Sequence, residues 1–200
     1  DQDAKYYDSF THPKLKKFLF IDKTRKTTVK RRWYAGGKAL LQVNKVDNHD
    51  IHKDLERKII KLLEKEIPKT DIVAVMDPQH GLLTRNLINQ ILKFSRKYNK
   101  LLYVDPQISH RPSNHHLYKG ADTMFLNQKE AKAVYSHFNL KKPEQTLSTI
   151  RKKLRLKSVV IKLGSRGAIA MFDDQYVKSW PYKVRAVDPC GAGDAFLAAF

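Results

Sequence analysis

The chain has 200 residues, enough for one domain with a sizeable core and too few for two comfortable ones. Its 39 Lys and Arg residues outnumber its 20 Asp and Glu residues, and the formal net charge of +19 indicates anionic partners such as phosphates, nucleic acid or an acidic surface. Nine Phe, nine Tyr and two Trp exclude a disordered chain, and the apolar runs are too short to cross a bilayer.

The single cysteine, Cys190, excludes an internal disulfide and favours a cytoplasmic location, where thiols stay reduced. The sequence begins without Met and stops within an apolar, helix-forming run at residues 195–200. We therefore expect a piece of a longer polypeptide.

The first part of the chain, residues 1–46, has the periodicity of antiparallel β-structure. The pattern predicts strands over residues 18–21, 27–34 and 39–43. Gly36 and Gly37 suit a tight hairpin turn, because glycine accepts a positive φ. Ten Lys or Arg and one acid lie between residues 11 and 38, so this leader is strongly basic.

The second part, residues 47–200, alternates short apolar strands with helices. Strands are predicted over residues 72–76, 101–104, 123–126 and 158–163, followed by a hairpin of residues 168–172 and 176–180. Helices are predicted over residues 52–66, 84–98, 128–137 and 144–154, and a last helix begins near Gly191. This order indicates an α/β fold with a mostly parallel sheet.

The most informative motif spans residues 187–196, Val-Asp-Pro-Cys-Gly-Ala-Gly-Asp-Ala-Phe. Small residues at Gly191, Ala192 and Gly193 allow backbone amides at a helix start to bind an anion such as a phosphate. Asp194 follows directly, where a carboxylate can accept a proton from a hydroxyl in line with that phosphate. The alternative is a Gly-Ala-Gly turn whose aspartate only caps a helix.

The segment from Asp188 to Ala198 resembles the C-terminal signature of ribokinase-like (phosphofructokinase-B-type) carbohydrate kinases. Residues 127–130, Asn-Gln-Lys-Glu, resemble the Asn-x-x-Glu motif of that family, and residues 161–168 resemble its strand and glycine turn beside ATP. Within the family, residues 27–30, 42–43, 77–84 and 104–106 are similar to segments of bacterial heptose 7-phosphate kinases. The likeness implies a three-layer α/β/α fold with a small antiparallel β lid.

The resemblance also implies roles for individual residues. Asp194 would be the base, and the amides of Gly191, Ala192 and Gly193 would form the anion hole for the transferring phosphoryl group. The residues implied on the ATP side are Asn127, Glu130, Lys162, Gly164 and Gly167, with Asn127 and Glu130 acting on Mg²⁺ largely through water. The substrate-side candidates are Asp77, His80 and Asp105, which follow predicted strands.

Each of these groups has a plainer interpretation. Asn127 and Glu130 could be a helix cap with its first-turn acid, and each Asp-Pro pair could be an ordinary turn after a strand. In heptose 7-phosphate kinases a lysine usually stands in the places of His80 and Gln107, which puts the identity of the sugar in doubt.

The sequence therefore predicts an ATP- and Mg²⁺-dependent kinase acting on a small sugar or sugar phosphate, with a possible homodimer through the β lid. The alternative is an inactive protein of the same fold that contacts nucleic acid through its basic leader. Intact Asp194 and Glu130 argue against that alternative.

Overall fold

One six-stranded sheet forms the centre of the protein. In the computed structural model, which describes residues 9, 11–36, 38–109, 112–182 and 190–200, its strands are β3 (Ile72–Asp77), β4 (Leu101–Pro106), β5 (Thr123–Asn127), β6 (Ser158–Lys162), β7 (Ala168–Phe172) and β8 (Gln175–Ser179). The spatial order equals the chain order. The first four strands are parallel, and β7 and β8 add antiparallel edge strands.

Helices accompany the sheet, and those that follow β3 and β5 connect parallel strands. They are α1 (Lys53–Glu66), α2 (Arg85–Lys97), α3 (Gln128–Val134) and α4 (Pro143–Leu154), and α5 (Ala192–Ala199) follows the hairpin. The Thr84 side chain accepts from the amide of Leu87 and so caps α2, and Pro143 opens α4 at a position where a missing N–H costs nothing.

Different helices pack on the two faces of the sheet. On one face Met124 and Leu126 join a large core with α1 to α4, whereas the intervening Phe125 points the other way and packs with Phe196 and Leu197 of α5. This alternation follows from the two-residue period of a strand. Helices therefore lie on both faces, and the predicted three-layer α/β fold is confirmed.

Aromatic contacts place α5 on the sheet. The ring of Phe125, which is fully buried, meets the rings of Phe200 and Phe196 edge-on with centroids 5.0 Å and 6.3 Å apart. Full burial of such a side chain stabilises the fold by about 1.5–3 kcal/mol. The start of α5, where the sequence places its anion-binding turn, is thereby held above the carboxyl ends of the parallel strands.

A separate antiparallel ribbon precedes the sheet. It consists of β1 (Val29–Ala35) and β2 (Lys38–Lys45). Gly36 adopts the positive φ, +55°, that the hairpin prediction required, while Gly37 lies outside the described residues. The predicted third strand, residues 18–21, is wrong: this segment has no strand partner among the described residues and leaves Leu19 and Ile21 exposed.

The other predicted elements are present with small shifts in their ends. The helix predicted over residues 128–137 stops at Val134, because Tyr135 adopts an extended conformation. Within the described residues, no helix is long and apolar enough to cross a membrane.

Candidate active site

The start of α5 presents backbone donors. Gly191 is the residue before the helix and adopts φ +77°, and its carbonyl accepts the first helical bond from Ala195 at 2.9 Å. Amides in the first turn of a helix have no partner within the helix and attract anions. Asp188, the first residue of the recognised signature, lies outside the described residues.

Lys162 lies directly beside this turn. It ends β6, and its Nζ lies 3.3 Å from the point that a Cβ on Gly193 would occupy. A larger side chain at position 193 would displace the ammonium group. The small residue therefore allows a cation to lie against the amides at the helix start.

Asp105 forms an ion pair with Lys162. Asp105 lies near the end of β4, and its Oδ2 accepts from Lys162 Nζ at 2.6 Å. The Asp105 side chain is 3% exposed and that of Lys162 18%. The second carboxylate oxygen of Asp105, Oδ1, is buried and has no hydrogen-bond partner among the described residues.

Electrostatics connect Asp105 to the predicted base. Burial raises the pKa of Asp105; the Lys162 ammonium opposes this shift, and the charge of Asp194 adds to it. Asp194 itself is exposed. The predicted base, the anion-binding turn and the buried ion pair are thus parts of one arrangement at the carboxyl ends of the strands.

Asn127 and Glu130 form a capping box at the start of α3. The Asn127 Oδ1 accepts from the Glu130 amide at 3.0 Å, and the Glu130 Oε2 accepts from the Asn127 amide at 2.6 Å. Burial is the main cause of the raised pKa of Glu130, and the nearby charges of Asp105 and Lys162 act on it in opposite directions. The helix-cap interpretation is confirmed, and Glu130 belongs electrostatically to the same site.

The two glycines after β6 differ in the space that is available for a Cβ atom. Gly164 has φ +63° with open space around the Cβ position, whereas a Cβ on Gly167, at φ +85°, would overlap the carbonyl oxygen of Ser179. Arg166, between them, donates to the Gln128 side chain at 2.9 Å. This bond joins the turn to the start of α3.

Asp77 is held by its own loop. Its carboxylate accepts from the Gln79 amide at 2.8 Å, the Asn114 side chain at 2.7 Å and the Tyr118 hydroxyl at 2.8 Å. These contacts anchor the loops that follow β3 and β4. These contacts do not join Asp77 to Lys162, so its role toward a sugar stays a prediction.

His80 lies in the loop after β3, half-buried, with Nδ1 3.1 Å from the Asn48 side chain. Its backbone carbonyl accepts from Arg25, which also donates to the carbonyl of Asp47. The leader is thereby tied to this loop. The substrate-side role of His80 also stays a prediction.

Arg32 of β1 contacts Cys190, which the sequence alone did not predict. Its NH1 lies 3.2 Å from the sulfur of Cys190, beside the anion-binding turn, and its Nε donates to Gln42 at 2.8 Å. The alternation of β1 places Arg32 on the face opposite Trp33. That period was visible in the sequence, but the direction in which the ribbon faces was not.

Comparison with known proteins shows the family of the chain. Residues 21–200 match the pfkB family of carbohydrate kinases. The chain belongs to this family. It is 29% identical over 184 residues to the bifunctional protein HldE of Aliarcobacter butzleri, a match that covers 90% of this chain and 37% of that protein.

Solved structures confirm the fold. The chain is similar to phosphofructokinase-2 from Escherichia coli with a TM-score of 0.64 and 20% identity, covering 86% of this chain and 55% of that one. Ribokinase from Giardia lamblia gives a TM-score of 0.64 at 19% identity, covering 86% and 53%. The chain thus spans less than two thirds of each of these relatives.

Substitution of the two glycines tests the local geometry. Gly167→Ala should lower the free energy of unfolding by about 3 kcal/mol or more, because backbone strain of about 1–3 kcal/mol is joined by overlap with Ser179. Gly164→Ala adds strain alone and should cost about 1–2 kcal/mol. Urea unfolding of the two variants measures the difference, and equal losses would contradict this description of the turn.

Proposed function

We propose that the protein transfers the γ-phosphoryl group of ATP to a hydroxyl of a small sugar phosphate. The observation that carries the proposal is the Lys162 ammonium, held by Asp105 at 2.6 Å and lying against Gly193. A partly buried cation beside helix amides that have no partner within the helix is suited to stabilise charge on a transferring phosphoryl group.

Asp194 is assigned as the general base. It is exposed in the first turn of α5, next to the amides that would hold the phosphoryl group. The acceptor hydroxyl gives its proton to the Asp194 carboxylate as its oxygen bonds to phosphorus, and the bond from phosphorus to the ADP oxygen breaks in line. The amides from Gly191 to Gly193 and the Lys162 ammonium donate hydrogen bonds to the phosphoryl oxygens in this step.

The residues near the phosphate position suit a magnesium nucleotide. Within the described residues, no three His, Cys, Asp or Glu side chains are grouped to hold a metal by themselves. Mg²⁺ commonly keeps several waters and takes one or two carboxylates together with substrate phosphates. Glu130 and Asn127, whose oxygens already serve the α3 cap, would therefore act through water, and the ion would neutralise phosphate charge.

The acceptor is proposed to be a sugar phosphate of the heptose 7-phosphate type. The similarity to HldE and the likeness of residues 77–84 and 104–106 to heptose 7-phosphate kinases support this choice. The buried, unpartnered Oδ1 of Asp105 offers an acceptor for a sugar hydroxyl on the substrate side. The single cysteine and the use of ATP favour a cytoplasmic location.

Asp194→Asn in the full-length protein should lower kcat by about 10²–10⁴-fold, the usual contribution of a general base. Mg-ATP binding, measured by calorimetric titration, should persist because the backbone donors remain. Asp173→Asn is the matched control, since Asp173 is an exposed carboxylate in the β7–β8 turn with φ +51°, which Asn tolerates. Retention of full turnover by the Asp194 variant would contradict the assignment.

A homodimer through the β lid is the second part of the proposal. Trp33 pairs with Leu41, and Arg31 pairs with Val43, so these side chains share one face of the ribbon. Trp33, Leu41 and Val43 are 46%, 56% and 50% exposed. The opposite face carries Arg32, which is turned toward the site by its contact with Cys190. The apolar face is therefore left for a second copy of the chain.

Leu41→Asp should convert the proposed dimer to a monomer, because a carboxylate without a partner is costly to bury in an apolar interface. Asn44→Asp places the same charge on the other face of β2, where Asn44 pairs with Lys30, and should leave the dimer intact. Light scattering after size-exclusion chromatography measures both masses. A monomeric parent protein, or a dimeric Leu41 variant, would contradict the lid interface.

A further inference from the structure

A strongly basic groove lies between α2 and the turn that follows β4. Its volume is about 890 Å³, and both of its walls carry cations. All six cationic side chains are exposed; they are Arg85, Lys93, Arg96, Lys97, Lys119 and Arg155. The lining contains no carboxylate.

Among the described residues these cations are little neutralised by carboxylates, although Tyr98 and the charge of Glu64 raise the pKa of Lys97. Elsewhere Arg57, Arg151 and Lys157 form ion pairs with aspartates. In the part of the chain that the structure describes, none of the six groove cations has such a pair. A concentration of like charge repels itself and destabilises the folded state, and an anion bound in the groove would offset this repulsion.

Three cations and one asparagine along α2 form a regular row. Arg85, Asn89, Lys93 and Lys97 are spaced four residues apart and lie on one face of the helix, with a rise of about 6 Å per step. Lys119 and Arg155 face this row from the other wall. A row of donors with a cationic wall opposite it suits a ligand that carries repeated negative charges.

The groove is unlike a site for a small molecule. Such sites bury most of their ligand among apolar and aromatic side chains, whereas this groove is open to solvent, and its apolar lining is Leu92 and Leu117. It has no Phe, Tyr or Trp, and His116 is the one ring among its lining residues on which an unpaired base could stack. Charge is therefore its main means of recognition, which favours the external phosphates of a duplex.

The groove lies mainly at the sheet edge opposite the candidate active site. Lys97 precedes β4, Gly120 precedes β5 and Arg155 precedes β6 by a few residues, whereas Asp105 and Lys162 lie at the ends of their strands. Arg96 NH2 reaches the carbonyls of Lys119 and Gly120 at 3.4 Å and joins the two walls. Occupation of the groove would leave the start of α5 accessible.

We propose that this groove binds the phosphate backbone of a double-stranded nucleic acid without reading its sequence. The α2 row contacts successive phosphates, and Lys119 and Arg155 contact the same backbone from the opposite wall. The surface is distinct from the basic leader at residues 11–38.

Fluorescence anisotropy of the full-length protein with a short fluorescein-labelled duplex DNA tests the proposal across a series of salt concentrations. Lys93→Gln combined with Lys119→Gln removes one cation from each wall. The slope of log Kobs against log salt should become shallower by about 1.8, because each lost phosphate contact removes about 0.9. Affinity should fall similarly for unrelated duplex sequences.

Lys23→Gln combined with Lys26→Gln removes the same charge from the leader and is the matched control. The control should retain the parent slope. An equal or larger loss in the control would overturn the proposal in favour of the leader. Absence of duplex binding at low salt, or stronger binding of single strands or polyglutamate than of the duplex, would also overturn it.

Discussion

The ion pair between Asp105 and Lys162 is the interaction on which the candidate site depends. Removing two charges from water costs several kcal/mol per ion, and their mutual attraction often fails to recover this cost. Here the pKa of Asp105 is raised by burial in spite of the lysine, so burial outweighs the attraction for this carboxylate. A pair of this kind adds little to stability, and it lies at the carboxyl ends of the strands, where open parallel sheets bind their ligands.

The fold places the pair where a phosphate can reach it. Because β4 and β6 are parallel and separated by β5, their carboxyl ends lie at the same edge of the sheet, and Asp105 and Lys162 meet there. Packing of Phe196 and Phe200 against Phe125 holds the start of α5 above that edge. The same hydrophobic packing that places α5 on the sheet therefore brings Gly193 to the lysine.

Much of this arrangement could be predicted from the sequence. Strand and helix periodicity predicts the α/β core, and the small residues before Asp194 predict an anion-binding helix start. The pairing of Asp105 with Lys162 could not be predicted, since the two lie 57 residues apart and depend on strand order. The apolar run at residues 18–21 was misleading, because these four consecutive apolar residues have no neighbouring strand to pair with among the described residues.

The structure also separates two uses of positive charge. Lys162 is partly buried and paired with one carboxylate, which suits a fixed role beside a phosphoryl group. The groove cations along α2 are exposed and lack carboxylate partners among the described residues, which suits binding of a polyanion. The net charge of +19 therefore arises from more than one group of cations.

A double-mutant cycle on Lys162→Met and Asp105→Asn, read as kcat/KM for ATP-dependent phosphorylation of heptose 7-phosphate by the full-length protein, tests the central claim most directly. If Asp105 acts by holding Lys162, each single substitution should lower kcat/KM by about tenfold or more, and the double variant should be no worse than the poorer single variant, as expected for residues that act as a unit. Losses that multiply in the double variant, or single variants with unchanged kcat/KM, would contradict it.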